Sequence, residues 1–361
     1  MKKLITLLFF ALTLQAGYSQ ETKSMKKKNS PEAEKKAIRD AGDKNNNFYD
    51  NEETFVLPMK ELVIAGEVEN PGKVDFTKLT KHSVIVKEAL LNKDTGNQFV
   101  GAYRYDGYSL FDILKDRILK KKNKAEFNPI IDVFVEIEND LGEKVVMSWG
   151  EIYYPNFLHN SIIATDVMRI VPSKSKDLWP LPVTSKLVIA NDLITERNIR
   201  NPVKITVISY PRNYKVNRDI TPLTSEKVDL FINEKQEEGF KDTPESLQKE
   251  TLHTIFYGKG RGIHSTQPFT GVYLKDYLDG KVTFNRKNLR NGLVILAGVD
   301  GYRSVYTLSE ILNRNDQAEV LIVQCKDEKD GGKFRIFPSC DFFSDRAVKA
   351  LSEIRVEVGA R

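Results

Sequence analysis

The chain has 361 residues, of which 40% are hydrophobic and 10% aromatic, so its length and composition predict two domains with real cores. Charged residues make up 29% of the chain without a long single-sign run, and the formal net charge is only +5. A nucleic-acid partner is therefore not expected, because such proteins cluster basic residues on one face.

Residues 1–19 have the pattern of a secretory signal peptide. Two lysines precede the apolar run at residues 4–14, and small residues precede a predicted cleavage before Gln20. No later stretch approaches the run of about 18 apolar residues that predicts a transmembrane helix. The sequence predicts an exported protein, periplasmic or secreted, without a transmembrane segment.

Residues 20–53 are polar, with nearly balanced charges, and predict a flexible tether. The first predicted domain covers residues 55–192. In it, residues 84–91 read as a strand or a helix turn. Within residues 103–114, an Asp106-Gly107 turn is followed by the helical apolar face of Leu110, Phe111, Ile113 and Leu114. Residues 130–138 and 144–149 predict a hairpin, and residues 162–171 a further strand.

The second predicted domain covers residues 203–358 and opens with a strand at 203–209. Residues 212–250 read as a charged, mostly irregular insertion. Residues 319–325 and 333–337 predict paired strands, residues 345–354 a helix and residues 355–358 a last strand. Cys325 and Cys340 flank the apparent hairpin, and the offset that it imposes between them disfavours a disulfide.

Three short blocks occur twice in the chain, in the same order and with nearly constant offsets. Residues 106–114 match 270–278. Residues 140–142 followed by 149–152 match 300–302 followed by 308–311. Residues 169–172 match 335–338, with an Arg-Ile-x-Pro pattern. A long internal period of this kind predicts a duplicated domain.

These blocks carry a resemblance to a known family. Residues 64–68 with Pro71, the Gly-x-x-Leu pattern after Gly107 and Gly271, the Asp300-Gly301-Tyr302 turn and the Arg-Ile-Phe-Pro strand together resemble the oxidoreductase molybdopterin-binding domain of the sulfite-oxidase type. The resemblance implies an α+β fold: two tandem sulfite-oxidase-like domains with mixed layered sheets and short helices.

The chain departs from that family at the metal ligand. The family's molybdenum-ligating cysteine lies ahead of the Gly-x-x-Leu helix, but residues 84–98 and 252–267 contain no cysteine. No catalytic residue therefore carries over. The sequence favours a non-catalytic binding or interaction protein for which no cofactor is expected. A molybdopterin-dependent oxidoreductase of the sulfite-oxidase type with unusual ligation stays open, as does a glycan-binding module of the polysaccharide-export type, which residues 67–72 resemble.

One basic, glycine-rich turn is the candidate ligand site. Alternate glycines let backbone N–H groups converge, and cations beside them suit a phosphate, sulfate or carboxylate. The resemblance places the pterin phosphate in this region. The candidate residues are Gly258, Lys259, Gly260, Arg261, Gly262 and His264. The expected partner is a small anionic ligand or a protein. The chain's four histidines show no local metal-binding spacing, so no metal site is expected.

Overall fold

The computed structural model describes residues 49–50, 52–92, 94, 96–172, 174–325 and 332–359. The predicted signal peptide, residues 1–19, and residues 20–48 of the predicted tether lie outside the described residues. Among the described residues, no helix combines the length and the apolar character needed to cross a membrane.

The first half of the described chain contains strands β1 to β10 and two short helices. The strands are β1 (Thr54–Val56), β2 (Val63–Gly66), β3 (Gly72–Lys73), β4 (Lys81–Asn92), β5 (Gly96–Ser109), β6 (Val133–Asn139), β7 (Lys144–Ser148), β8 (Ser161–Arg169), β9 (Lys186–Ile189) and β10 (Pro202–Ser209). The helices are α1 (Leu110–Leu114) and α2 (Trp149–Tyr153). Single 3₁₀ turns occur at Phe76–Lys78 and Ile130–Asp132.

The second half contains strands β11 to β21 and three short helices. The strands are β11 (Val228–Ile232), β12 (Lys235–Phe240), β13 (Lys249–Leu252), β14 (Phe256–Gly258), β15 (Gly262–Ser265), β16 (Phe269–Tyr273), β17 (Leu293–Gly298), β18 (Arg303–Thr307), β19 (Val320–Gln324), β20 (Phe334–Pro338) and β21 (Leu351–Glu357). The helices are α3 (Leu274–Leu278), α4 (Arg286–Asn291) and α5 (Leu308–Leu312), and a 3₁₀ turn covers Ser344–Arg346.

The predicted α+β fold of two tandem domains with layered sheets is wrong. The protein is mostly β, with 44% strand and 12% helix, and its small sheets take a four-bladed, propeller-like arrangement. Residues Tyr49–Arg361 form one compact unit. The error arises because each helix has only five or six residues, too few to form a helical layer.

The helix predicted after the Asp106-Gly107 turn is confirmed as α1 (Leu110–Leu114), but the turn itself and the helix predicted at residues 345–354 are wrong. Residues 103–109 belong to β5, where buried Tyr103 and Tyr105 alternate with less buried neighbours, so the period is two rather than 3.6. Gly107 lies inside this strand and makes no turn. Residues 345–354 contain a 3₁₀ turn and the start of β21. The spacing of Leu351 and Ile354 mimics a helix, but β21 is paired on both sides, by β11 and β17.

The predicted hairpins are confirmed. β6 pairs with β7 around Gly142, which has φ of +80°, and β17 pairs with β18 around Gly301, which has φ of +76°. β19 and β20 are also antiparallel partners. In each of the first two hairpins an aspartate lies one or two residues before the positive-φ glycine, Asp140 before Gly142 and Asp300 before Gly301, so local turn chemistry is enough to place the connection.

The two halves repeat the same strand pairing. One sheet of the first half has the order β3-β2-β10-β6-β7, and its counterpart has the order β12-β11-β21-β17-β18. The other sheets run β4-β5-β8-β9 and β13-β16-β19-β20, with β1 added along β8. β10 opens the second predicted domain, but it pairs with β2 and β6. The segment 212–250 contains β11 and β12.

Gly107 and Gly271 occupy the same place in this repeated pairing. A Cβ atom on Gly107 would lie 2.1 Å from the carbonyl oxygen of Ile163 in β8, and one on Gly271 would lie 2.3 Å from that of Ile322 in β19. The third sequence match is wrong, however. Residues 335–338 lie in β20, whose counterpart by pairing is β9, whereas residue 169 ends β8. The Arg-Ile-x-Pro similarity therefore joins strands with different positions.

Replacing Gly271 by alanine is expected to lower the free energy of unfolding by about 1–3 kcal/mol, because the added methyl group must displace backbone of β19. Urea denaturation measures the loss. Gly260→Ala is the matched control, since a Cβ atom there meets nothing within 4 Å. Equal stability of the two variants would show that β16 and β19 do not pack this closely.

Candidate functional site

The predicted basic loop is the turn of a two-stranded hairpin. β14 and β15 pair with Gly258 opposite Gly262, so Lys259, Gly260 and Arg261 form the connection. Gly262 has φ of +74°, a conformation that residues with a Cβ atom rarely adopt. Glycine is therefore needed to close the turn, and both cationic side chains beside it are exposed.

This hairpin forms one wall of a cleft of about 290 Å³. Five of the six predicted residues line the cleft, and Gly262 does not; the five are Gly258, Lys259, Gly260, Arg261 and His264. The other wall comes from distant parts of the chain and includes Asp300, Tyr302, Ser344, Asp345 and Lys349. The sequence reasoning missed this second wall, because no local motif marks it.

The cleft carries more cationic than anionic side chains. Lys259, Arg261 and Lys349 have no ion pair with a carboxylate within the described part of the chain. Of the two acids, Asp300 accepts a hydrogen bond from the backbone N–H of Tyr302 at 3.0 Å, which serves the β17–β18 turn. The unpaired cations give the cleft its capacity to hold an anion.

Asp345 gives the cleft an acceptor beside these cations. Its Oδ2 atom is buried and has no hydrogen-bond partner among the described residues. A buried acceptor without a partner is costly, so a ligand that donates a hydrogen bond there is favoured. The cleft thus suits an anion that also carries a hydroxyl or amine group.

His264 separates this cleft from a second cavity of about 290 Å³. Its Nε2 atom occupies the space beside Gly258, where a Cβ atom would lie 2.3 Å away. His264 and Lys349 line both cavities. In the second cavity the guanidinium group of Arg335 lies 5.2 Å from the ring centroid of Phe256 and 5.0 Å from that of Phe269. Gly258 therefore provides room for an imidazole that borders both spaces.

Neither cysteine lines the cleft. Cys340 is a buried free thiol that donates to Asp341 Oδ1 at 3.3 Å. Burial raises the pKa of the Cys340 thiol well above its ordinary value, so it stays protonated. The donor set of the cleft therefore does not fit molybdenum held by a protein thiolate.

A second polar cluster contains two histidines that the sequence had shown only as scattered. His82 lies on β4, Asp112 on α1 and His159 on the loop before β8, and one donor atom from each lies within 4.8 Å of the others. His82 Nε2 is 2.9 Å from Asp112 Oδ2, and His159 Nδ1 is 3.6 Å from the same oxygen. Strand pairing, rather than sequence proximity, brings them together, so no local spacing could have revealed them.

The electrostatics of this cluster centre on Asp112. Burial alone would raise the pKa of Asp112, but hydrogen bonds from Lys115, Ser109 and His82 outweigh burial and hold it below its ordinary value. Burial, and then the neighbouring His82, lower the pKa of His159. At neutral pH the cluster therefore combines a carboxylate with a neutral His159 ring.

Comparison with known proteins adds no assignment. No protein-family model matches the chain, and no similar sequence was found among curated proteins. The resemblance to the sulfite-oxidase type of domain therefore stays a prediction.

Proposed function

We propose that this protein is a binding protein for a small anionic ligand, held in the cleft beside the β14–β15 hairpin. The observation that carries the proposal is the convergence of Lys259, Arg261 and Lys349 on one cleft without carboxylate partners within the described chain. Phosphate-bearing molecules are the favoured class, because cations beside a glycine turn offer both charge and backbone N–H donors.

The arrangement of the walls supports a ligand that bridges two parts of the fold. Lys259 and Arg261 belong to the hairpin, whereas Lys349 lies between the Ser344–Arg346 turn and β21. A single anionic group between them would contact cations from both walls. The buried Oδ2 of Asp345 would accept a hydrogen bond from another part of the same ligand.

The double variant Lys259→Ala/Arg261→Ala is expected to weaken phosphate-bearing ligands by at least about a hundredfold, because each charge-assisted contact is worth roughly 1.5–3 kcal/mol. The fold should be unaffected, since both residues lie in an exposed turn. Calorimetric titration with pyrophosphate and a panel of phosphate monoesters measures the affinities.

The matched control is Arg200→Ala/Lys204→Ala, which removes the same charge from exposed residues that do not line the cleft. It should bind as the unaltered protein does. If the cleft variant and the control bind the phosphate-bearing ligands with equal affinity, the hairpin is not part of the binding site. A molybdenum content near one atom per chain in protein from its native host would contradict the non-catalytic proposal.

A further inference from the structure

The histidine cluster on the first half has the donor set of a transition-metal site. Two imidazoles and one carboxylate come from three separate elements, and both histidine rings are partly open to solvent. Nitrogen and oxygen ligands around one tetrahedral ion at 2.0–2.1 Å lie about 3.3 Å apart. The distances of 2.9 Å and 3.6 Å from Asp112 Oδ2 to the two ring nitrogens bracket that spacing.

The second half builds the same junction without these histidines. His82 pairs with Gly107 in the first half, and Glu250 pairs with Gly271 in the second. Asp276 follows Gly271 at the same interval as Asp112 follows Gly107, but no histidine contacts it within the described residues. The strand–helix junction therefore forms in the second half without imidazoles. The fold does not require the two histidines that meet Asp112 in the first half.

We propose that His82, Asp112 and His159 bind a divalent first-row transition ion, with zinc as the reference metal. Imidazole and carboxylate ligands are those that zinc accepts in open, three-ligand protein sites. Solvent or a ligand group completes the coordination, because His159 exposes 41% of its side chain.

Neighbouring groups orient the carboxylate for this role. Lys115 donates to Asp112 Oδ1 at 2.9 Å, which leaves Oδ2 as the oxygen shared with the histidines. The Ser109 hydroxyl donates to Oδ2 at 2.8 Å and lies 3.1 Å from His159 Nδ1. Such outer contacts fix the direction of metal ligands.

Metal binding requires one ring to turn. The rings of His82 and His159 are stacked, with centroids 3.7 Å apart and planes inclined by 5°, so their lone pairs run parallel instead of converging. His159 lies on a loop and is the more exposed of the two, so rotation about its Cβ–Cγ bond is the smaller change.

Zinc titration of the purified, untagged protein after chelator treatment tests the proposal, with a chromophoric chelator as competitor. We expect about one tight site per chain in the unaltered protein. His82→Ala and His159→Ala should each weaken zinc by at least about a hundredfold. The pair also guards against misfolding, because His159 is a half-buried loop residue and His82 lies within a strand, so the two variants disturb different parts of the fold. Thermal unfolding without metal checks that both variants are folded.

His253→Ala is the control, because it removes one exposed histidine outside the cluster. It should keep the zinc affinity of the unaltered protein. The proposal is overturned if the unaltered protein shows no saturable site, or if His159→Ala binds zinc as tightly as His253→Ala does. Cobalt gives an independent readout, since its visible absorption should appear in the control and be lost in both cluster variants.

Discussion

Replacing Arg346 by alanine is expected to lower the free energy of unfolding by about 3–5 kcal/mol, because it leaves buried carboxylates without their counter-charge. Its guanidinium group is fully buried, 2.6 Å from Asp341 Oδ1 and 2.6 Å from Glu310 Oε1. It also lies 4.2 Å from the ring centroid of Tyr306. Urea denaturation of the variant and the unaltered protein measures the loss.

The first half repeats this arrangement around Arg197. Its guanidinium group is 2.6 Å from Asp192 Oδ1 and 2.5 Å from Glu151 Oε1, and all three side chains are buried. Asp192 and Arg197 are separated by five positions, as are Asp341 and Arg346. Arg197→Ala should therefore lower the free energy of unfolding by a similar amount.

Hydroxyl groups connect the two arrangements across the halves. Ser148, which caps α2, donates to Glu310 Oε2 at 2.8 Å, and Thr307, which caps α5, donates to Glu151 Oε2 at 3.3 Å. Each helix cap thus contacts the acid of the other half. Because the contacts form one buried network, the effects of changing both arginines should not be additive.

Arg212→Ala is the control for the Arg346 variant. Arg212 pairs with a single acid, Glu234 at 2.7 Å, and its side chain is 38% exposed and that of Glu234 63% exposed. Its loss should cost less than about 1 kcal/mol. If Arg346→Ala lowers the free energy of unfolding no more than Arg212→Ala does, the buried network contributes no more to stability than a surface ion pair.

Sequence reasoning placed the elements whose signal is local. The β6–β7 hairpin follows from alternating apolar residues before a glycine turn, and the β17–β18 hairpin from a continuous apolar run before one. It failed where a tertiary contact decides the structure. Gly107 resembles a turn residue, but it is a strand residue that faces the carbonyl of Ile163. The sequence also did not exclude the layered α+β fold. A helix of one turn and a longer helix begin with the same pattern of apolar residues, so the sequence did not show that these helices would be short.

The same division applies to the candidate sites. The hairpin wall of the cleft was predicted because glycines and cations are adjacent in sequence. Lys349 and Asp345 reach the cleft through the packing of the Ser344–Arg346 turn and β21, which no pattern near Lys259 encodes. His82 and His159 are brought together by the sheet that contains β4 and β8. A single sequence carries no signal for such contacts.

Asp132→Asn is expected to lower the free energy of unfolding by about 3–5 kcal/mol at neutral pH, because Asp132 is the buried counter-charge of two cations. Lys121 Nζ lies 2.5 Å from Asp132 Oδ1, and Arg303 lies 3.3 Å from Oδ2, with all three side chains buried. Arg303 extends from β18 of the second half, so this contact also joins the halves. Asp229→Asn, which removes the partly exposed pair with Lys227, is the control.

The Asp132 variant should also regain stability as the pH rises, because Lys121 can lose its charge. Burial already lowers the pKa of Lys121 below 10.5, although Asp132 opposes this shift, so removal of Asp132 should lower it further. The folded state then releases the proton at a lower pH than the unfolded state does. The free energy of unfolding of the variant must therefore increase with pH between the pKa of Lys121 in the folded state and its pKa in the unfolded state.

Urea denaturation at steps from neutral pH to below 10.5 measures this dependence. The free energy of unfolding should rise more steeply with pH for Asp132→Asn than for Asp229→Asn. Parallel curves would mean that Lys121 does not depend on Asp132 for its charge.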